Sequence, residues 1–194
     1  MSTKVWSNNY SSSKFDSTID VLNNGGIILY PTETIWAIGC KSILKNSVHK
    51  VYDIKKRTYN MPFINLIDDI NNIPKYVENF NTKDLDLIKK NGSPPTVIYP
   101  NCKSEYRFLA NELNEISFRV TQIRELKEII NKLDSPIISS SANISGKEFP
   151  KSLDNISKSI INSVDLILNF EVESSGIPSE IIKINSGKIE YLRK

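Results

Sequence analysis

The chain has 194 residues, 39% of them hydrophobic and 24% charged, with 25 basic and 22 acidic side chains for a formal net charge of +3. This is the composition of a soluble globular domain long enough to bury a core without staples, and too mildly basic to declare a nucleic-acid binder by charge alone. Cys40 and Cys102 stand far apart in no CxxC pattern, too few ligands for zinc, and read as two reduced thiols.

The first 13 residues are polar and rich in Ser and Asn, which predicts a frayed N-terminus ahead of a single domain over 14–194. They contain no apolar signal-peptide core, and no run in the chain reaches the ~18 apolar residues of a membrane span. The expected location is cytoplasmic, which makes the Asn-x-Ser triplets at Asn143 and Asn155 chance matches. Phe15, Ile19, Val21 and Leu22 recur at helical spacing over 14–24, stopped by Gly25 and Gly26. GIILY (26–30) reads as a buried strand, and YPTET follows it as a loop. Val48, Val51, Tyr52 and Ile54 predict a helix over 46–57, with Asn46 or Ser47 as its cap. FINLI (63–67) is a strand, TKDLDLIKKN (82–91) a helix, TVIYP (96–100) and ISFRV (116–120) strands. A helix over 122–133, a strand at PIIS (136–139), a helix over 152–162 and a strand at DLILNF (165–170) come next. The chain closes with SEIIKI (179–184) and KIEYL (188–192) around Asn185-Ser186-Gly187, a hairpin signal. Strands mixed with helices, ending in a hairpin, predict an α/β domain with a mixed sheet.

The missing chemistry is informative. The one histidine, His49, lies inside a predicted helix, and nothing resembles a nucleophile elbow. There is no HExxH, no acidic metal loop, no GxGxxG and no P-loop. Any phosphate must be held by Lys, Arg, hydroxyls and backbone amides. Four stretches could do this. YPTET sets Thr32, Glu33 and Thr34 at the carboxyl end of a strand, where ligands gather in α/β sheets, although a plain Pro-Thr turn reads equally well. IKKR ends a helix with Lys55, Lys56 and Arg57, either an anion clamp or a solvated helix end suited to the dipole. ISFRV puts Arg119 inside an apolar strand, where a buried charge needs a carboxylate partner from protein or ligand. PIISSSANISG offers Ser139, Ser140, Ser141, Asn143 and Ser145 as neutral hydrogen-bonding groups around a turn that can nest an anion.

In this order the stretches resemble the YrdC-like family of threonylcarbamoyl-adenylate synthases. YPTETIWAIGC resembles its YPTET-aromatic-GLGC signature, IKKR its K-x-R element, FRV its V-R-V strand, SSSANISG its TSAN-LSG loop, and GIPSEIIKI its PST-I-V-D segment. The resemblance spans Asp16 to Arg193. It implies a twisted mixed α/β sheet around a large positively charged cavity. It also implies a nucleotidyltransferase reaction: L-threonine, bicarbonate and ATP, with Mg²⁺ as the triphosphate's counterion, give threonylcarbamoyl-AMP and pyrophosphate. The product would feed a separate threonylcarbamoyl transferase that makes N6-threonylcarbamoyladenosine in tRNA.

Carried over by motif, Lys55 and Arg57 are the expected catalytic cations, with Lys55 neutralising the phosphates or the carbamate. Arg57, Ser141, Asn143 and Arg193 are expected at the nucleotide. Thr34, Arg119, Ser139 and Ser179 are expected to hold threonine, with Arg119 on its carboxylate. No metal ligands can be assigned. The sequence departs from the family pattern at Ala37, Met61, Ser93-Pro94-Pro95 and Glu180, the last expected to point away because strand neighbours alternate faces. Two other functions stay open: a paralogue that binds tRNA or double-stranded RNA in the same basic cavity, and a carbamoyl-adenylating enzyme for another acceptor.

Overall fold

The computed structural model describes residues 4–7, 12–59, 61–81, 94–185 and 188–193. The strands are β1 (Lys4–Ser7), β2 (Ile28–Tyr30), β3 (Ala37–Gly39), β4 (Ile64–Ile67), β5 (Thr96–Tyr99), β6 (Ile116–Val120), β7 (Ile137–Ser141), β8 (Leu166–Asn169), β9 (Ile181–Asn185) and β10 (Lys188–Arg193). The helices, numbered along the described chain, are α1 (Ser12–Asn23), α2 (Lys45–Lys55), α3 (Arg124–Leu133) and the single turn α4 (Lys158–Ile161). All ten strands join one twisted, mixed sheet in the order β1-β8-β2-β3-β7-β4-β6-β5-β9-β10. Parallel pairs such as β4–β6 and antiparallel ones such as β4–β7 occur in the same sheet.

Within each strand, alternate residues face two different layers, as a pleat requires. Leu29, Ile38, Ile67, Val97, Phe118, Ile138 and Ile167 pack on one face with Val48, Val51 and Tyr52 of α2 and with Ile156, Ile160 and Val164. Ile28, Leu66, Ile137, Leu166 and Leu168 pack on the other with Ile19 and Leu22 of α1 and Leu126, Ile129, Ile130 and Leu133 of α3. The second helical layer covers only part of its face. On β7 the cover stops after Ile137, and the next residues on that face are Ser139 and Ser141.

Several elements differ from the sequence expectation. Residues 4–7, expected to be frayed, run as β1 parallel to β8, with Lys4 opposite Leu166 and Ser7 opposite Asn169; pairing with an otherwise open edge outweighs the polar composition. Ala37–Gly39, which the sequence reading assigned to no strand, is β3, stitched between β2 and β7. Three residues ending in glycine carry little strand signal, and pairing on both sides supplies what propensity does not. The helix expected over 152–162 divides into a 3₁₀ turn at Leu153–Asn155 and the four-residue α4. The expected helix at 82–91 lies outside the described residues. The closing hairpin is present, and β10 carries a bulge: Tyr191 pairs with Ile182, yet Arg193, not Leu192, pairs with Ile181. No helix among the described residues is long and apolar enough to cross a membrane.

Gly39 explains why β3 can lie so close to β7. A Cβ at this position would sit 1.7 Å from the Ile138 carbonyl oxygen, a backbone atom that cannot swing aside. Gly39→Ala is therefore expected to force the strands apart and cost about 2–3 kcal/mol or more, read as a lowered urea midpoint. An unchanged midpoint would show that β3 is not held against β7 in this way.

Candidate active site

A cavity of about 230 Å³ opens on the sheet face that α1 and α3 leave uncovered. Strand register builds its floor. Ser139 of β7 lies opposite Ile64 of β4, Ile64 opposite Ser117 of β6, and Ser117 opposite Ile98 of β5. One row across four strands thus alternates hydroxyl and aliphatic groups. Neighbouring rows add Ser141 beside Ala37, and Thr96 beside Ile181. The YPTET loop and the serine loop do leave the carboxyl ends of β2 and β7. The strands β4, β5 and β6 contribute instead through their faces, because the sheet is mixed and has no common carboxyl edge.

Arg119 is 4% exposed and lines this cavity. Its NH1 donates to Thr34 Oγ1 at 2.9 Å, and its NH2 stands 3.9 Å from Glu33 Oε2. Its Nε finds no acceptor among the described residues, and neither does Glu33 Oε2 find a donor. Burial lowers the Arg119 pKa, with Glu33 and Tyr30 opposing. Glu33 is itself fixed through Oε1, which accepts from Thr121 Oγ1 at 2.6 Å and from the Gln122 amide at 2.5 Å. Thr34 Oγ1 is a further 2.9 Å from Thr32 Oγ1. The segment after β8 straps this loop from outside: Ser174 Oγ donates to the Thr34 carbonyl and the Ser175 amide to the Glu33 carbonyl.

Ser179 and Arg193 meet on the far wall. Ser179 Oγ is 2.9 Å from Thr96 Oγ1, and Arg193 donates to the Ser179 carbonyl from Nε at 2.9 Å and NH2 at 2.6 Å. Burial and then the nearby Arg119 lower the Arg193 pKa, so two guanidiniums converge. Glu115 is the single carboxylate among the described residues of the lining. Burial alone would raise its pKa, but hydrogen bonds from Lys183 and Asn111 hold it down. Three arginines, Arg57, Arg119 and Arg193, therefore face the cavity against one carboxylate that already has an ion-pair partner.

The IKKR element divides its cations by backbone geometry. Lys56 caps α2 in the left-handed region at φ 50°, and the next amide, that of Arg57, bonds back to the Tyr52 carbonyl at 3.0 Å. The reversal turns Arg57 into the cavity, where Nε donates to the Met61 carbonyl at 2.9 Å and NH2 to the Pro62 carbonyl at 3.2 Å. Its guanidinium carbon lies 5.0 Å from the Phe63 ring centre, a cation–π contact. Lys55, on the other side of the cap, is 1% exposed and does not line the cavity. Its ammonium donates to the carbonyls of Ser141 and, at 2.7 Å, Asn143, with Asn143 Oδ1 at 3.5 Å. Asn143 does not line the cavity either; its amide nitrogen donates to the Lys147 carbonyl at 2.5 Å.

The structure thus gathers Thr34, Arg57, Arg119, Ser139, Ser141, Ser179 and Arg193 around one space and sets Lys55 and Asn143 behind its wall. Lys55, expected to neutralise the phosphates or the carbamate, directs its ammonium here to oxygens of the serine loop. Ser117, Thr96, Asn111 and Glu115 line the cavity without having been singled out. Alternation within ISFRV could have found Ser117, two residues before Arg119 on the same face. Asn111 and Glu115 left no comparable signal. Glu180 is exposed and outside the lining, as alternation from Ser179 predicts. Met61 keeps its side chain largely in solvent and contributes its carbonyl to Arg57. Of the Ser93-Pro94-Pro95 departure, Ser93 lies outside the described residues.

The chain is similar to known proteins in sequence and in fold. The Sua5/YciO/YrdC family model, described as telomere recombination, matches residues 20–194. A putative threonylcarbamoyl-AMP synthase of Methanocaldococcus jannaschii is 33% identical over 176 residues, covering 88% of this chain and 80% of its own. A threonylcarbamoyl-AMP synthase of Psychromonas ingrahamii is 26% identical over 181 residues, covering 91% and 95%. The solved structure of P. abyssi Sua5 complexed with L-threonine superposes with a TM-score of 0.87 at 20% identity, covering 100% of this chain and 57% of that one. The chain therefore spans less than two thirds of that Sua5 molecule.

The left-handed cap gives a test of how Arg57 is aimed. A side chain other than glycine costs about 1 kcal/mol or more at this conformation. Lys56→Gly is expected to raise the unfolding free energy by about that amount and leave Arg57 in place, read by urea denaturation. A loss of stability would mean that Lys56 makes a compensating contact outweighing the strain.

Proposed function

The chain belongs to the Sua5/YciO/YrdC family, and within it we propose that this protein is a threonylcarbamoyl-AMP synthase, joining L-threonine, bicarbonate and ATP with release of pyrophosphate. The observation that carries the reading is Arg119: a buried guanidinium in a cavity wall, with an uncommitted Nε and hydroxyls around it. Burying a cation whose carboxylate partner stands off at 3.9 Å is costly, and an amino-acid carboxylate is the partner that would offset it. Thr34, Ser139 and Ser179 would hold the remaining polar groups of threonine. The named relatives and the L-threonine held by P. abyssi Sua5 support this choice of ligand.

The reaction asks for charge stabilisation more than for a nucleophilic side chain. The threonine amine and bicarbonate condense with loss of water to a carbamate. A carbamate oxygen then attacks the α-phosphorus of ATP, the bond to the bridging oxygen breaks, and pyrophosphate leaves with the electron pair. Anion meets anion, so fixed cations and neutral donors supply the stabilisation. Arg57 and Arg193 would meet the phosphates, and Ser141 would add a hydroxyl at the nucleotide. Among the described residues the carboxylates do not fit a resident metal: Glu115 is committed to Lys183 and Asn111, and no cluster of three metal-ligating side chains occurs there. Magnesium is best placed as part of the Mg·ATP substrate. The product would serve a separate transferase acting on tRNA, and the protein would then be expected in the cytoplasm.

Purified protein with Mg·ATP should release pyrophosphate only when threonine and bicarbonate are both present. Consumption of ATP indifferent to threonine would point to another acceptor. No turnover, together with salt-dependent binding of tRNA or double-stranded RNA, would favour the binding paralogue. Arg57→Ala should lower kcat/KM for ATP by about 10²–10³-fold with the fold retained. A fully active Arg57→Ala enzyme would remove Arg57 from the site.

A further inference from the structure

Lys55 is a fully buried cation that the proposed reaction does not use directly. It is joined to the serine loop from both its main chain and its side chain. The Ser145 amide donates to the Lys55 carbonyl at 2.9 Å, while the ammonium reaches the Ser141 carbonyl, the Asn143 carbonyl and Asn143 Oδ1. An ammonium has three N–H donors, and three oxygens stand around it. The bonds bracket the turn that follows β7, whose outer surface is the cavity wall at Ser140 and Ser141.

We propose that Lys55 is a positioning residue: from behind the cavity wall its charged ammonium fixes the turn over Ser141–Ser145, and so shapes the nucleotide-facing surface without touching substrate. The proposal deepens the synthase reading and rests on it only for the identity of the nucleotide. Charge is required because a neutral amine has two N–H donors and a lone pair. Facing the same three oxygens, it must give up one bond and set its lone pair against an oxygen lone pair. The threonine-side residues are held by other partners, Arg119 by Thr34 and Glu33, and Ser179 by Thr96 and Arg193. Loosening the turn should therefore act on the nucleotide half alone.

The electrostatic surroundings put the proton within reach of ordinary pH. Burial, and then Arg57, lower the Lys55 pKa to about 7. The surrounding oxygens favour the charged form and push the other way. Arg57 is the charged neighbour on its own segment, and the turn after β7 offers carbonyl and amide oxygens. Among the described residues no carboxylate forms an ion pair with Lys55. The proton is therefore held below the folded-state pKa and lost above it, so the turn should be tight at the acidic end and loosen as pH rises.

The first test is NMR on wild-type protein labelled with ¹⁵N in lysine and along the backbone. Lys55 Nζ should titrate below the ordinary lysine value of about 10.4, in the direction its burial sets, and the Asn143 amide resonance should move with the same midpoint. An Asn143 amide that does not follow the Lys55 titration overturns the proposal. This readout needs neither turnover nor a variant, so it stands if Lys55→Met fails to fold or if the synthase reading itself fails. The second test is kinetic. Lys55→Met should raise KM for ATP at least ~10-fold at pH 6.5 while KM for threonine moves less than ~2-fold. The wild-type KM for ATP should climb from about pH 7 to 9, and that of the variant should stay flat. An unchanged KM for ATP, or equal losses for both substrates, overturns the proposal.

Discussion

The site exists because one layer of helices is narrower than the sheet it covers. A sheet face must be buried or made of groups that water and ligands can satisfy. Here α1 and α3 bury the β8–β2–β3 region and the start of β7. Past that point the same face changes from Ile137 to Ser139 and Ser141, and on β6 it shows Ser117 and Arg119. The opposite face of these strands is mostly apolar, with Phe118, Val97 and Ile138 in its core, Asn65 and Ser140 being buried polar exceptions. A continuous core on one side thus keeps rigid the strands that carry hydroxyls on the other. Side chains on paired strands are positioned more firmly than side chains on loops, which suits a reaction that depends on orientation.

Much of this was readable from the residues. The strands at FINLI, TVIYP, ISFRV and PIIS showed as short apolar runs between turn signals, and the helix after Arg124 as an apolar stripe. Motif order named Thr34, Arg57, Arg119, Ser139, Ser141, Ser179 and Arg193, and these do converge. What could not be read was direction and depth. Lys55 and Arg57 are two residues apart in an identical-looking basic stretch. Only the left-handed turn at Lys56 decides that one is buried behind the wall and the other faces the cavity. β3 was hidden because three residues carry no period, and β1 because its partner strand lies more than 150 residues away. Glu115 and Asn111 reach the cavity from the loop that precedes β6, a placement set by tertiary packing.

Arg119 and Glu33 show how the fold tolerates a buried charge. At 3.9 Å they do not form a close ion pair. Glu33 is pulled toward Thr121 and Gln122, and Arg119 toward Thr34, so each is steered by a neutral partner and keeps an uncommitted atom. A tight pair would neutralise the arginine and leave little attraction for an incoming carboxylate. Holding the acid at a distance lowers the cost of the buried guanidinium while keeping it available.

The bulge in β10 turns the closing hairpin into a counting device. Because side chains alternate, one residue more or fewer between Tyr191 and the partner of Ile181 decides whether an arginine or Leu192 stands at the cavity lip. Substitutions along the outer face of this hairpin leave that count unchanged, whereas a single-codon insertion or deletion resets it. In this stretch, then, chain length is under tighter constraint than residue identity, even though the hairpin forms one edge of the sheet.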